Sequence, residues 1–248
     1  MLFAVAALSA APPAHSQHMM GLDITSDSFT KAEMSRAEID AGLAALAPGK
    51  TLDLSGKSLN CLDFSGMDLR RVKLQSARIN KTNFKGANLE GVILDQAWAL
   101  KSDFTGANLK SSSLIATQLG NSKLDGADFS NALVAADFSN ASVMKAKFDG
   151  SNLSADEKNQ SMGLMRGAFN STNLEGSTFR SANMARVLME FASLRGSELA
   201  AVDLTGADVK GADFDGADLN GAGMQELKNK SAAKNLDKAK NFEKALID

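Results

Sequence analysis

The 248-residue chain has one cysteine, no tyrosine, one tryptophan, three prolines and two histidines. A lone Cys61 excludes a disulfide framework or a thiolate zinc cage within one chain. His15 and His18 both precede the patterned region, so histidine-dependent catalysis is excluded from the body of the protein. Neither charge sign is in excess: 27 basic against 29 acidic side chains leave a formal net charge of −2. That balance argues against a strongly basic nucleic-acid binder and an acidic tail alike. The apolar run at 2–11 (LFAVAALSAA) falls short of the ~20 residues a membrane span needs. Against these absences stand 44% hydrophobic residues, far too many for a disordered chain and enough for one or two domains.

The run at 2–11 has the length of a signal-peptide h-region. Pro12 and Pro13 follow, and the small residues Ala14 and Ser16 stand at the −3 and −1 positions before Gln17, as signal peptidase requires. A basic n-region is missing. The reading is a signal peptide over 1–16 and a bacterial protein of the periplasm or beyond; translation from Met19 or Met20 gives a cytoplasmic protein instead. Cleavage would leave Gln17-His18-Met19-Met20, donors that copper accepts, but a plain terminal tail explains them as well. No metal and no cofactor is expected.

Internal repetition dominates the rest. From Leu54, apolar residues recur every fifth position through Val134 (Leu59, Phe64, Leu69, Leu74 and onward). The frame slips back one residue to Phe138, continues to Leu153, and resumes after a polar stretch from Leu164 to Met224. Of these 34 centres, 33 are Leu, Phe, Ile, Val or Met, and Ala99 is the exception. Two residues before each centre lies a second column, small or β-branched in 29 of 34 cases. Neither a 3.6 nor a 2.0 period produces a spacing of five. Such a chain must turn a corner at each unit with both columns pointing inward. Phe64, Phe84 and Phe104 are spaced by 20, which stacks like on like if four units make one coil. The 34 centres then form about eight coils, a rod of roughly 40 Å at ~4.8 Å per level.

Units such as ADFDG (212–216), ADLNG (217–221) and ANLEG (87–91) resemble the A(D/N)LxG pattern of the pentapeptide-repeat family across about 51–224. The resemblance implies an all-β solenoid, a right-handed quadrilateral β-helix in which each coil contacts only its neighbours. Ala or Ser beside each Leu or Phe fits a narrow interior that larger residues would overpack.

Outside the repeats, 17–50 reads as a linker and an N-terminal capping helix. The helix covers 30–46, opens on a Thr30/Glu33 capping box and ends at Pro48-Gly49. Residues 225–248, rich in Lys and Ala, read as a C-terminal helical cap. The slip between Val134 and Phe138 should kink a corner, and 154–163 should leave the rod as a loop of the kind that often carries recognition.

The search for chemistry finds little. Asp203, Asp208, Asp213 and Asp218 point from different sides and cannot converge as paired catalytic carboxylates. DFDGAD (213–218) lacks the spacing of a calcium loop, and Asp or Asn at that position suits local backbone bonding at corners. The serines have no base to activate them. The chain is therefore read as a non-enzyme, a scaffold for a protein partner or a second copy of itself, without direct nucleic-acid binding or a membrane span. Family resemblance supplies a rival: a cytosolic DNA mimic that binds and protects a type II topoisomerase. Residues 190–224 carry net −5, which favours mimicry; 51–110 carry net +3, which opposes it. The candidate contact residues are Ile93, Trp98, Leu100 and Ile115, with Leu133 nearby. Trp98 occupies a normally polar outward position beside the small centre Ala99. It either belongs to an apolar contact patch or folds over the gap at Ala99.

Overall fold

The computed structural model describes residues 25–154 and 165–247. Within them every centre from Leu54 to Met224 is buried. The residue before each centre pairs in parallel with its counterpart one coil on: Asp63 with Asn83, Asn83 with Asp103, Asp103 with Lys123. Four such ladders, one per side, make the quadrilateral β-helix that the spacing predicts. Because each side bends after five residues, the sheets shrink to single-residue bridges. Two-residue strands occur at β1 (Leu52–Asp53) and β2 (Val72–Lys73), paired in parallel. Identical side chains stack as expected: Phe64 lies 5.4 Å from Phe84, and Phe84 lies 4.7 Å from Phe104 with the rings nearly parallel.

Hydrogen bonding explains the composition of the unit. In the unit centred on Phe64, the centre N–H donates to Asn83 O in the next coil, and Gly66 N–H donates to Lys85 O. Met67 N–H closes the corner onto Phe64 O. The N–H just after the centre has no backbone acceptor, and Asp63 Oδ1 takes it from Ser65 at 2.9 Å. Asp103, Asp137, Asp203 and Asp218 repeat this bond. Where a serine stands before the centre, a carboxylate one coil back can take this N–H: Asp95 receives Ile115 N–H and Asp125 receives Met144 N–H. An orphaned backbone donor costs free energy comparable to a lost bond, so Asp or Asn in the unit is structural. Inside, hydroxyls of the small column bond centre carbonyls: Thr82 reaches Leu59 O and Ser102 reaches Ile79 O.

This arrangement has a pH consequence. The Ser65 N–H, with the Ser65 hydroxyl, holds the Asp63 carboxyl below its ordinary range. The Asn241 amide does the same for Asp218 against partial burial, with help from Asn220 N–H. Carboxyls depressed in the folded state contribute stability that is complete above the unfolded value near ~4. It is lost as pH falls through the folded values. The melting temperature should hold steady from about pH 7 to 5 and fall steeply below about 4. Asp218→Asn should flatten that acid limb in circular-dichroism melts; an unchanged slope would refute the assignment.

The slip shortens one coil to 19 residues, pairing Gln118 with Asp137, and buries both Ala135 and Ala136 at a four-residue side. Ladder pairing then passes from Asp137 to Ala168, which requires eleven additional residues between Leu153 and Phe169. Of the predicted loop and the resumed frame, 155–164, with Met162 and Leu164, lie outside the described residues, as does the predicted signal segment.

At the N-terminal end the single helix predicted over 30–46 is broken. A short α1 (Asp27–Thr30) precedes α2 (Arg36–Ala44). Ala32 pairs antiparallel with Leu59 and Glu33 N–H donates to Ser58 O, so the chain is extended where the helix was expected. The capping box forms at Ser35 and Glu38 instead, while Thr30 bonds Ser26 O and Glu33 pairs with Lys57. Ile39 is fully buried in the core, with Leu43 and Leu52 packed beside it.

The predicted C-terminal helix is replaced by one more coil with six-residue sides. Lys228, Lys234, Lys240 and Leu246 pair with Asp208, Asp213, Asp218 and Gly223. After each lysine, Asn229, Asn235 or Asn241 turns left-handed at φ 56°, 55° and 55° and opens a 3₁₀ turn. Their amides donate to the three aspartates below at 2.8, 2.7 and 2.8 Å. Those bonds prevail over the helical propensity of the Lys-Ala sequence, and the lysine-lined rim blunts the open edge.

Candidate functional site

Any site on this fold is built on a wall, since the interior is filled. One wall carries the ladder Ser58, Arg78, Trp98, Gln118, Asp137. Along its lower part runs the segment containing α1. Ser58 and Asn60 side chains hold that segment by donating to Ser28 O and Lys31 O, and Phe29 meets the Trp98 ring edge-on at 5.2 Å. Trp98 is thus half-buried under a residue from outside the repeats. Leu100, two residues on, is half-buried at the neighbouring corner and faces a groove beside Phe29 and Thr30. Below it, Asn60 and Asn80 form a buried amide ladder: Asn80 donates to Asn60 Oδ1 and receives Leu100 N–H on its own Oδ1.

The adjacent wall carries Ile93, Ser113 and Leu133 in one ladder. Ile93 and Leu133 are 38% and 37% exposed, one level of serine apart, on walls that are otherwise mostly polar. Ile115 sits half-buried at the corner beyond Ser113. The four candidate residues therefore divide into two pairs. Ile93 and Ile115 share one wall and its corner, whereas Trp98 and Leu100 flank α1. Sequence reasoning missed Phe29, which no period ties to Trp98; its one signal was being the sole aromatic between 17 and 50.

The stretch 190–224 is acidic in sequence, but ion pairs and overlying lysines offset many of the carboxylates of the upper coils. Arg180 bridges Asp149 and Glu198, Arg195 bridges Asp213 and Asp215, and Lys210 pairs with Glu190. Lys228, Lys234 and Lys240 stand directly above Asp208, Asp213 and Asp218. The Asp213 carboxyl, though its burial opposes ionisation, is held low by the Asn235 amide, Asp215 N–H and Arg195. Among the described residues no cluster of three or more His, Cys, Asp and Glu could hold a metal ion. No described helix is long and apolar enough to cross a membrane.

A family model described as pentapeptide repeats, present in eight copies, matches residues 53–86, 102–133, 112–154 and 182–221, together just over half of the chain. Among solved structures, a trypsin-treated variant of QnrB1, a plasmid-mediated fluoroquinolone resistance protein, is 15% identical over 80% of this chain and 91% of its own, with a TM-score of 0.50. HetL, involved in heterocyst differentiation regulation in the cyanobacterium Nostoc sp., is 20% identical over 86% of this chain and 94% of its own, with a TM-score of 0.47. No curated protein sequence matches the chain.

Proposed function

The chain belongs to the pentapeptide-repeat family, and from that premise we propose that it is a non-enzymatic scaffold that binds a protein partner along one wall. The observation that carries this reading is the exposed Ile93–Leu133 column. Two large apolar side chains on a rigid wall are the kind of anchor that concentrates binding energy in protein contacts. The many Asp and Asn side chains support a non-catalytic reading, because most accept corner or rung hydrogen bonds. Export through the 1–16 signal segment completes the proposal. A mature N-terminus at Gln17, read by mass spectrometry on fractionated cells, would support it; a cytoplasmic protein beginning at Met1 or Met19 would sink it. For the partner, a photo-crosslinking residue at Ser113 should capture a discrete protein in living cells, and Ile93→Asp/Leu133→Asp should abolish that adduct. The same crosslinker at Asp103 on another wall should not form it.

A second reading, a cytosolic mimic of DNA that protects a type II topoisomerase, draws on the rod shape and the likeness to QnrB1. The ion pairs of the upper coils and the lysines above the aspartates weigh against it, because they offset much of the negative charge that a mimic of DNA would present. A supercoiling assay with purified gyrase, with and without a quinolone, decides it: dose-dependent rescue at micromolar protein would overturn the scaffold reading.

A further inference from the structure

The segment containing α1 does more than cover Trp98. Between it and the corner beyond Trp98 lies a groove of ≈ 220 Å³, with Phe29 and Leu100 as its apolar walls, Thr25 and Thr30 on the segment side, and Asn80, Lys81 and Lys101 on the repeat side. Lys81 and Lys101 occupy the same corner one coil apart, both at left-handed φ, 55° and 59°. Both are exposed, and neither enters a salt bridge among the described residues. Asn80 is 5% exposed. One amide hydrogen goes to Asn60 Oδ1, and the other has no acceptor among the described residues. Among the described residues, the apolar slot is thus flanked by a spare amide donor and two ammonium groups, with no acidic residue in its lining.

We propose that this groove binds a small amphiphile bearing a carboxylate or similar anion. Its apolar body lies between Phe29 and Leu100, and its anionic head is held by Lys81 and Lys101. Charge selects the class: a cation would meet two ammonium groups with no counter-charge, and a neutral alcohol would gain only the apolar contact. The lysines are solvent-accessible, so their attraction is screened by salt, whereas the apolar contact is not. This site is independent of the Ile93–Leu133 wall.

The sole tryptophan makes the test direct. Octanoate, octanol and octylammonium are titrated into the full-length protein, with Trp98 emission and calorimetry as readouts. Octanoate should saturate a single site and shift the Trp98 signal through Phe29. Octylammonium should bind at least tenfold more weakly, and Lys81→Gln/Lys101→Gln should cost at least tenfold in octanoate affinity with an unchanged circular-dichroism spectrum. Should that variant misfold, salt dependence in the unaltered protein serves instead: octanoate affinity should fall severalfold between low and high salt while octanol affinity does not. Equal binding of the three probes, no saturable binding of octanoate, or full affinity in the double variant would each overturn the assignment.

Discussion

Phe148→Ala should lower the free energy of unfolding by about 3–5 kcal/mol, the range for removing a buried phenylalanine without refilling its space. Phe148 is fully buried at the middle of the rod. Its ring stacks on Phe129 at 4.7 Å and Phe179 at 4.9 Å, within 4° of parallel. It also presents edges to Phe138 and Phe169, each at 6.0 Å. Aromatic pairs of this kind add about 0.5–1.5 kcal/mol each beyond area burial, which places this site toward the upper end. The neighbours cannot collapse inward, because ladder hydrogen bonds fix each coil above and below. Urea titration should show a lower midpoint. Phe191→Ala is the matched control: Phe191 is 56% exposed, and its removal should stay within about 1 kcal/mol. A loss below roughly 1.5 kcal/mol at Phe148 would mean that the stack is not a cooperative core.

In a solenoid such a cavity has a particular effect. Each coil contacts only its neighbours, so stability is close to a sum of coil terms and interfaces between coils. A weak interface in the middle divides the rod into two cooperative blocks. One block ends at the lid around α2, the other at the lysine-rimmed coil. Phe148→Ala is therefore expected to broaden the melt or split it, whereas an equal loss at either end would fray that end alone.

How much of this was legible depended on what sets each feature. The coil is dictated locally: a centre and its small companion every five residues admit one cross-section, and the 20-residue recurrence of Phe64, Phe84 and Phe104 fixes four sides. The structural use of Asp and Asn was legible too, because a corner must satisfy a donor that the ladder leaves over. The ends were not. Thr30 and Glu33 form a sound capping box by local rules, yet pairing of Ala32 with Leu59 claims that stretch for extended backbone. Likewise LKN, AKN and AKN at 227–229, 233–235 and 239–241 recur at six, a period that a reading tuned to five passes over. The contact between Phe29 and Trp98 was invisible for a deeper reason. It joins two segments whose relation is set by the lid's docking on the first coil, a tertiary event with no periodic trace.

That docking sets the second large effect. Ile39→Asp should detach the lid, because it places a carboxylate at the one position of α2 that is fully buried. The cost of an unpaired buried charge exceeds what α2's remaining contacts, such as those of Leu43, can offset. Removal would uncover Leu54 and Leu59 and free the backbone edge that Ala32 and Glu33 now occupy. Open edges with apolar ends recruit further chains, so light scattering should report dimers or larger species where the unaltered protein is smaller. Because Phe29 travels with the same segment, Trp98 emission should shift toward that of a solvent-exposed indole, and trypsin should cut at Lys31 and Arg36 within minutes. The bulk of the β-helix, from Phe64 upward, should resist that digestion. Unchanged mass, emission and cleavage in Ile39→Asp would show that the polar contacts of the lid, such as those of Ser58, Asn60 and Glu33, hold the first coil closed without the burial of Ile39.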